Sequence, residues 1–192
     1  MKNYQLTGEQ FHISDYEKLP AFSSFLPGLA GVKGIPLWVF YTNRGQGINS
    51  FGIHHKGNAI MEFNPANTAY ENTSIKGFRT FLRKDGECYE PFGSYDKEAM
   101  RTMHVEKNRL VIEEENKRFS IRMKVTYYVL PKENIGALVR QVELTNISGK
   151  TVSLEGIDGM PKIIPFGVQN GQFKEMSNLF RSWTEIKNIE NN

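Results

Sequence analysis

Apolar residues along this chain recur mostly at a period of two. Phe119, Ile121, Met123, Val125 and Tyr127 share one face of an extended segment, while Ser120, Arg122, Lys124 and Thr126 share the other. That alternation marks a strand buried on one side. Similar alternation, or a β-branched and aromatic run, predicts strands over 37–41, 48–53, 59–63, 76–83, 103–106, 109–114, 119–130 and 137–146. Turn chemistry separates them: Asn43-Arg44-Gly45-Gln46-Gly47, Asn64-Pro65, Lys84-Asp85-Gly86, Lys107-Asn108, Glu115-Asn116 and Ser148-Gly149. Strands at this spacing, without helices between them, predict a mainly β fold, an antiparallel β-sandwich.

The ends read differently. Before the first predicted strand, Leu19-Pro20, Leu26-Pro27-Gly28 and Gly34-Ile35-Pro36 interrupt the apolar anchors too often for a long helix, so 1–36 reads as an ordered, extended lead-in. The sandwich is expected over 37–171. Beyond Pro161 and Pro165, Phe173, Met176, Leu179, Phe180, Trp183 and Ile186 fall at helical spacing, which predicts one amphipathic helix over 172–192. Its aromatic stripe reads as a packing face.

Composition narrows the partners. With 39% hydrophobic and 23% charged residues among 192, the chain suits one soluble domain. Its 24 Lys and Arg are interspersed with 21 Asp and Glu, leaving +3 and no phosphate-neutralising face, so no nucleic-acid partner is expected. Apolar stretches such as Ile35-Pro36-Leu37-Trp38-Val39-Phe40-Tyr41 are too short to cross a bilayer, and the first residues lack the apolar core of a signal peptide. No membrane partner is expected. Cys88 is the only cysteine, which excludes an intramolecular disulfide and suits a reducing, cytoplasmic setting.

The loop Asn43-Arg44-Gly45-Gln46-Gly47 carries the most suggestive chemistry. An arginine fork, carboxamides and two glycines allow close approach and directional hydrogen bonds to hydroxyls or an anion; equally, such residues shape a hairpin. His54-His55 does not suit a metal, because neighbouring strand residues face opposite sides. His12 and His104 are isolated in sequence. Glu113-Glu114-Glu115 reads as a solvated rim at a turn. Ser23-Ser24 and Cys88 belong to no nucleophile motif. Asp15, Asp85, Asp96 and Asp158 are the carboxylates available for a catalytic pair.

Several blocks, taken in order, resemble the amino-terminal region of glycoside hydrolase family ninety-four. They are Phe22-Ser23-Ser24-Phe25-Leu26-Pro27-Gly28, the run from Gly34-Ile35-Pro36-Leu37-Trp38 to Asn43-Arg44-Gly45-Gln46-Gly47, Glu62-Phe63-Asn64-Pro65-Ala66-Asn67, Gly77-Phe78-Arg79-Thr80 and Asp158-Gly159-Met160-Pro161. The resemblance spans nearly the whole chain. It is greatest to the β-1,2-oligoglucan phosphorylases, beside cellobiose phosphorylase and the phosphorylase-like part of cyclic β-1,2-glucan synthase. It implies a sandwich of the supersandwich type, continued in the parent enzyme beyond Asn192 and followed by a helical linker, an (α/α)6 barrel and a small jelly roll.

The resemblance also implies an inverting reaction in which inorganic phosphate, a co-substrate rather than a cofactor, attacks the anomeric carbon. The general acid, an aspartate of the barrel, lies outside this sequence, so the chain alone is expected to be inactive. Its implied partners are a β-glucan oligosaccharide, the helical barrel of the parent enzyme and a second copy in a homodimer. By the same resemblance Asn43, Arg44 and Gln46, with Arg79, are placed near the saccharide or phosphate. No metal and no cofactor are expected. Two other readings stand beside it: a free-standing carbohydrate-binding module, with exposed aromatics on a sheet face, and a complete small glycoside-active enzyme. The last needs two carboxylates roughly 5 to 9.5 Å apart.

Overall fold

A computed structural model describes residues 3–26, 34–93, 98–165 and 167–183. The first strands, β1 (Tyr4–Thr7) and β2 (Gln10–Ser14), form a ribbon that leads through a 3-10 turn at Tyr16–Lys18 to β3 (Ser23–Phe25). Next come β4 (Leu37–Thr42), β5 (Ile48–Ile53), β6 (Ala59–Met61) and the helix α1 (Ala66–Lys76). Then β7 (Arg79–Lys84) and β8 (Glu87–Tyr89) form a hairpin, followed by β9 (Met100–Val105), β10 (Arg109–Asn116), β11 (Ile121–Val129), β12 (Leu138–Asn146) and β13 (Glu155–Gly159). Two short helices close the described chain, α2 (Asn170–Glu175) and α3 (Ser177–Trp183).

The fold is mainly β, with three antiparallel sheets packed as a sandwich. The largest runs β1-β2-β9-β10-β11-β12; the second runs β3-β4-β5-β6; the third runs β13-β7-β8. Register explains the main core. Across the largest sheet Ile13 pairs Met103, Met103 pairs Ile112, Ile112 pairs Val125 and Val125 pairs Val142. This apolar row faces Leu37, Val39, Tyr41, Ile48 and Phe51 of the second sheet, and the two sets share one core. Fully burying each such side chain contributes about 1.5–3 kcal/mol.

Several expectations change in the fold. Residues 4–25, read as an extended lead-in, supply β1, β2 and β3, because short runs between breakers find partners at the edges of two sheets. Helix α1 had no apolar period to announce it. Only Ala69 and Thr73 are buried, and it docks through polar groups: Thr42 donates to Thr73 Oγ1 at 3.0 Å, and Asn49 donates to Ala69 O at 3.3 Å and Thr73 Oγ1 at 3.2 Å. The single helix expected over 172–192 is divided at Met176, where the backbone leaves helical geometry. Its expected continuation past Trp183 lies outside the described residues. No described helix is long and apolar enough to cross a membrane.

Glu114 requires a firmer correction. The solvated rim expected at the glutamate run does not form: the strand continues to Asn116, so alternation turns Glu114 inward between Arg101 and Met123. Its side chain is 0% exposed. Arg101 Nε donates to Glu114 Oε2 at 2.6 Å, Phe92 N donates to the same oxygen at 2.6 Å, and Arg101 Nη1 bonds Glu17. Two carboxyls therefore share one guanidinium. Burial pushes the Glu114 carboxyl up to about 8; the Phe92 amide works against this and Glu17 adds to it.

Candidate functional site

The loop between β4 and β5 is built around left-handed backbone at Gly45 (φ +48°) and Gly47 (φ +83°). A β-carbon on Gly45 would lie 2.9 Å from Ser74 Cα, so glycine lets this loop sit against α1. The Gly45 carbonyl accepts from the buried Tyr16 hydroxyl at 2.6 Å, and its amide donates to Glu17 at 2.8 Å. The loop is thereby tied to the buried Arg101 cluster.

Within it, Asn43 is fully buried and turned away from solvent. Its Nδ2 donates to Tyr16 O at 2.9 Å and Pro20 O at 3.0 Å, and its Oδ1 accepts from Phe22 N at 2.9 Å. Arg44 donates to Asn43 O at 2.7 Å and Leu19 O at 3.1 Å. Both side chains brace the segment leading to β3. Arg79 stands on β7, where it forks onto Glu90 at 2.7 and 2.9 Å and lies 4.7 Å over the Phe81 ring. The structure thus groups Asn43 with Arg44, and places Gln46 and Arg79 elsewhere.

Gln46 enters a second cluster, where the three sheets meet. Its Nε2 donates to Thr80 Oγ1 at 3.0 Å, and its Oε1 accepts from Arg140 Nη2 at 2.6 Å. Arg140 forks onto Asp158 through Nη1–Oδ2 at 2.5 Å and Nη2–Oδ1 at 2.9 Å, and Thr80 donates to Asp158 Oδ1 at 2.5 Å. Arg140 Nε reaches the Tyr127 hydroxyl at 3.3 Å, and its guanidinium carbon lies 5.0 Å from the Phe78 ring centre. Each sheet contributes: β12 carries Arg140, β7 and β13 carry Thr80 and Asp158 opposite one another, and the β4–β5 loop carries Gln46.

Electrostatics orders this cluster from inside to outside. Burial pushes the Tyr127 hydroxyl up to about 12, so it stays protonated. For Arg140 burial opposes the charge, but Tyr127 and Asp158 outweigh it and hold the guanidinium more firmly protonated than usual. Burial raises the Asp158 carboxyl, yet hydrogen bonds from Arg140 and Thr80 prevail and hold it below the usual range. The Asp158 side chain is 39% exposed and that of Arg140 only 9%. What the cluster presents to solvent is an ionised carboxylate with fixed orientation, able to accept hydrogen bonds from hydroxyls.

The sequence alone singled out Thr80 and Asp158 only as members of resembling blocks, Asp158 also as one of four scattered aspartates, and left Arg140 unmarked. Arg140 carried a weak signal: it alternates with Leu138, Val142 and Leu144 along its own strand, on a face that is otherwise apolar, and the structure sets it opposite Tyr127. The other described aspartates do not join it. Asp15 pairs with Lys18 at 2.9 Å beside the 3-10 turn, and Asp85 occupies the β7–β8 turn; Asp96 lies outside the described residues. His54 also stands outside β5, with left-handed backbone, and His55 caps the next 3-10 turn by accepting from Gly57 N at 3.1 Å. The facing argument for that pair therefore does not apply.

An apolar cavity of about 770 Å3 lies among Ile35, Ile53, Ile60, Ile164 and Val168. His54 and Asn58 are its polar side chains, and the mostly hydrocarbon remainder is poorly matched to a polyhydroxylated ligand. Compared with protein-family models and with curated proteins, the chain matches none.

Proposed function

We propose that this chain is a noncatalytic amino-terminal sandwich segment of a cytoplasmic, inverting β-glucan phosphorylase, supporting saccharide binding and dimer contacts. One observation carries the reading. Three sequence blocks that resemble that family, far apart along the chain, supply Gln46, Thr80 and Asp158 to one hydrogen-bonded cluster. The cluster positions a surface carboxylate for sugar hydroxyls, while Asn43, Arg44 and Arg79 act through the loops they brace. Phosphate and the catalytic aspartate belong to the parent enzyme's barrel.

The test combines turnover with binding. The chain is incubated with β-1,2-gluco-oligosaccharides and inorganic phosphate, and amide shifts are followed during sugar titration. The expected result is no glucose 1-phosphate, with millimolar shifts centred on 156–160 and 79–81 that Asp158→Asn weakens. Turnover by the chain alone overturns the noncatalytic assignment. Saturation without shifts around Asp158 overturns the saccharide contact.

A carbohydrate-binding module is favoured by a different observation. Tyr4 and Phe11 stack at 5.8 Å and 16° on the β1–β2 ribbon while remaining 42% and 38% exposed. Shifts centred on those rings, lost in Phe11→Ala, support that alternative.

A further inference from the structure

Two histidines separated by 92 residues meet on the outer face of the largest sheet. His12 on β2 lies directly opposite His104 on β9, and their Nδ1 atoms are 3.2 Å apart. The rings meet edge to face, with centroids 4.7 Å apart at 63°. Each ring's other nitrogen has a hydroxyl beside it: His12 Nε2 is 3.0 Å from Ser14 Oγ, and His104 Nε2 is 3.5 Å from Thr102 Oγ1. An Nε2–H donating to its hydroxyl leaves the Nδ1 lone pair facing the other ring. That is the arrangement in which an outer hydrogen bond selects the tautomer of a metal-binding imidazole.

We propose that His12 and His104 form a two-imidazole site for a late first-row divalent cation such as Ni2+ or Zn2+. For metal–nitrogen bonds of about 2.0–2.1 Å, two ligands of a tetrahedral ion stand about 3.3 Å apart, close to the spacing observed. Imidazole suits this class of ion over Mg2+ or Ca2+. Among the described residues no group of three or more His, Cys, Asp or Glu gathers around one point, so water completes the coordination. Without the ion, one Nδ1–H donates to the other ring. With it, the cation ties the amino-terminal ribbon to the sheet.

The sequence contains four histidines, which makes the test selective. Ni2+ and, separately, Zn2+ are titrated into the full chain by calorimetry, and Ni2+ broadening of histidine ring signals is followed by NMR. The expected result is saturable binding, with His12 and His104 broadened before His54 and His55. His12→Gln and His104→Gln each weaken binding by at least about tenfold, the lower end of what losing even an outer partner of a ligand costs. The double variant His54→Gln/His55→Gln leaves it unchanged. Equal broadening of all four rings, or unchanged affinity in a folded His104→Gln chain, overturns the site. The wild-type broadening needs no variant, so a substitution that fails to fold does not remove the test.

Discussion

Replacing Glu114 with glutamine should alter the pH dependence of stability in a defined direction. The carboxyl is buried, shares Arg101 with Glu17, and titrates near 8 instead of the ordinary 4.5. At 1.36 kcal/mol for each tenfold change in proton affinity, that difference corresponds to a penalty of about 5 kcal/mol for the ionised form in the native state. Below pH 4.5 the folded and unfolded chains both hold the proton. Between 4.5 and 8 only the folded chain holds it, so stability falls as pH rises, by up to about 1.4 kcal/mol per pH unit. Above 8 the loss is complete. Glu17, also raised chiefly by burial, acts in the same direction. Glu114→Gln retains an oxygen to accept from Arg101 and Phe92 but has no proton to lose. Urea unfolding from pH 5 to 9 should give similar stabilities near pH 5, with the variant ahead by several kcal/mol near pH 8.5. Parallel profiles, or a wild type that gains stability with pH relative to the variant, would refute the reasoning.

Two further substitutions test the joints between sheets. Arg140→Ala removes the donor to Asp158, Gln46 and Tyr127 and should cost about 1–3 kcal/mol by urea unfolding; an unchanged midpoint would mean that solvent replaces the network. Gly45→Ala places a methyl against Ser74 in left-handed backbone and should lower stability by about 1–3 kcal/mol, whereas Gly86→Ala, with open space but the same backbone sign, should cost less. Equal thermal shifts for the two glycines would remove the close approach to α1 as the cause.

Local chemistry along the chain determined the strands from Leu37 to Asn146 other than the short β8, and the turns between them, because a half-buried strand must alternate and a tight turn must use Gly, Asn or Asp. It also determined that Cys88 has no cysteine partner within these 192 residues. Tertiary structure decided the rest. The ribbon β1–β2 and the strand β13 are short and weakly patterned, and they became strands only because β9 and β7 offered free edges. Helix α1 is held by buried hydroxyl and amide contacts that leave no apolar period. The site follows the same division: residue types suited to binding hydroxyls were visible in Asn43-Arg44-Gly45-Gln46-Gly47, but their directions were not. Folding turned Asn43 inward, joined Gln46 to Thr80, Arg140 and Asp158, turned Glu114 into the core, and brought His12 against His104. Each of these depends on which strands become neighbours and in what register. A contact between residues some 30 to 100 positions apart leaves no periodic trace in the sequence.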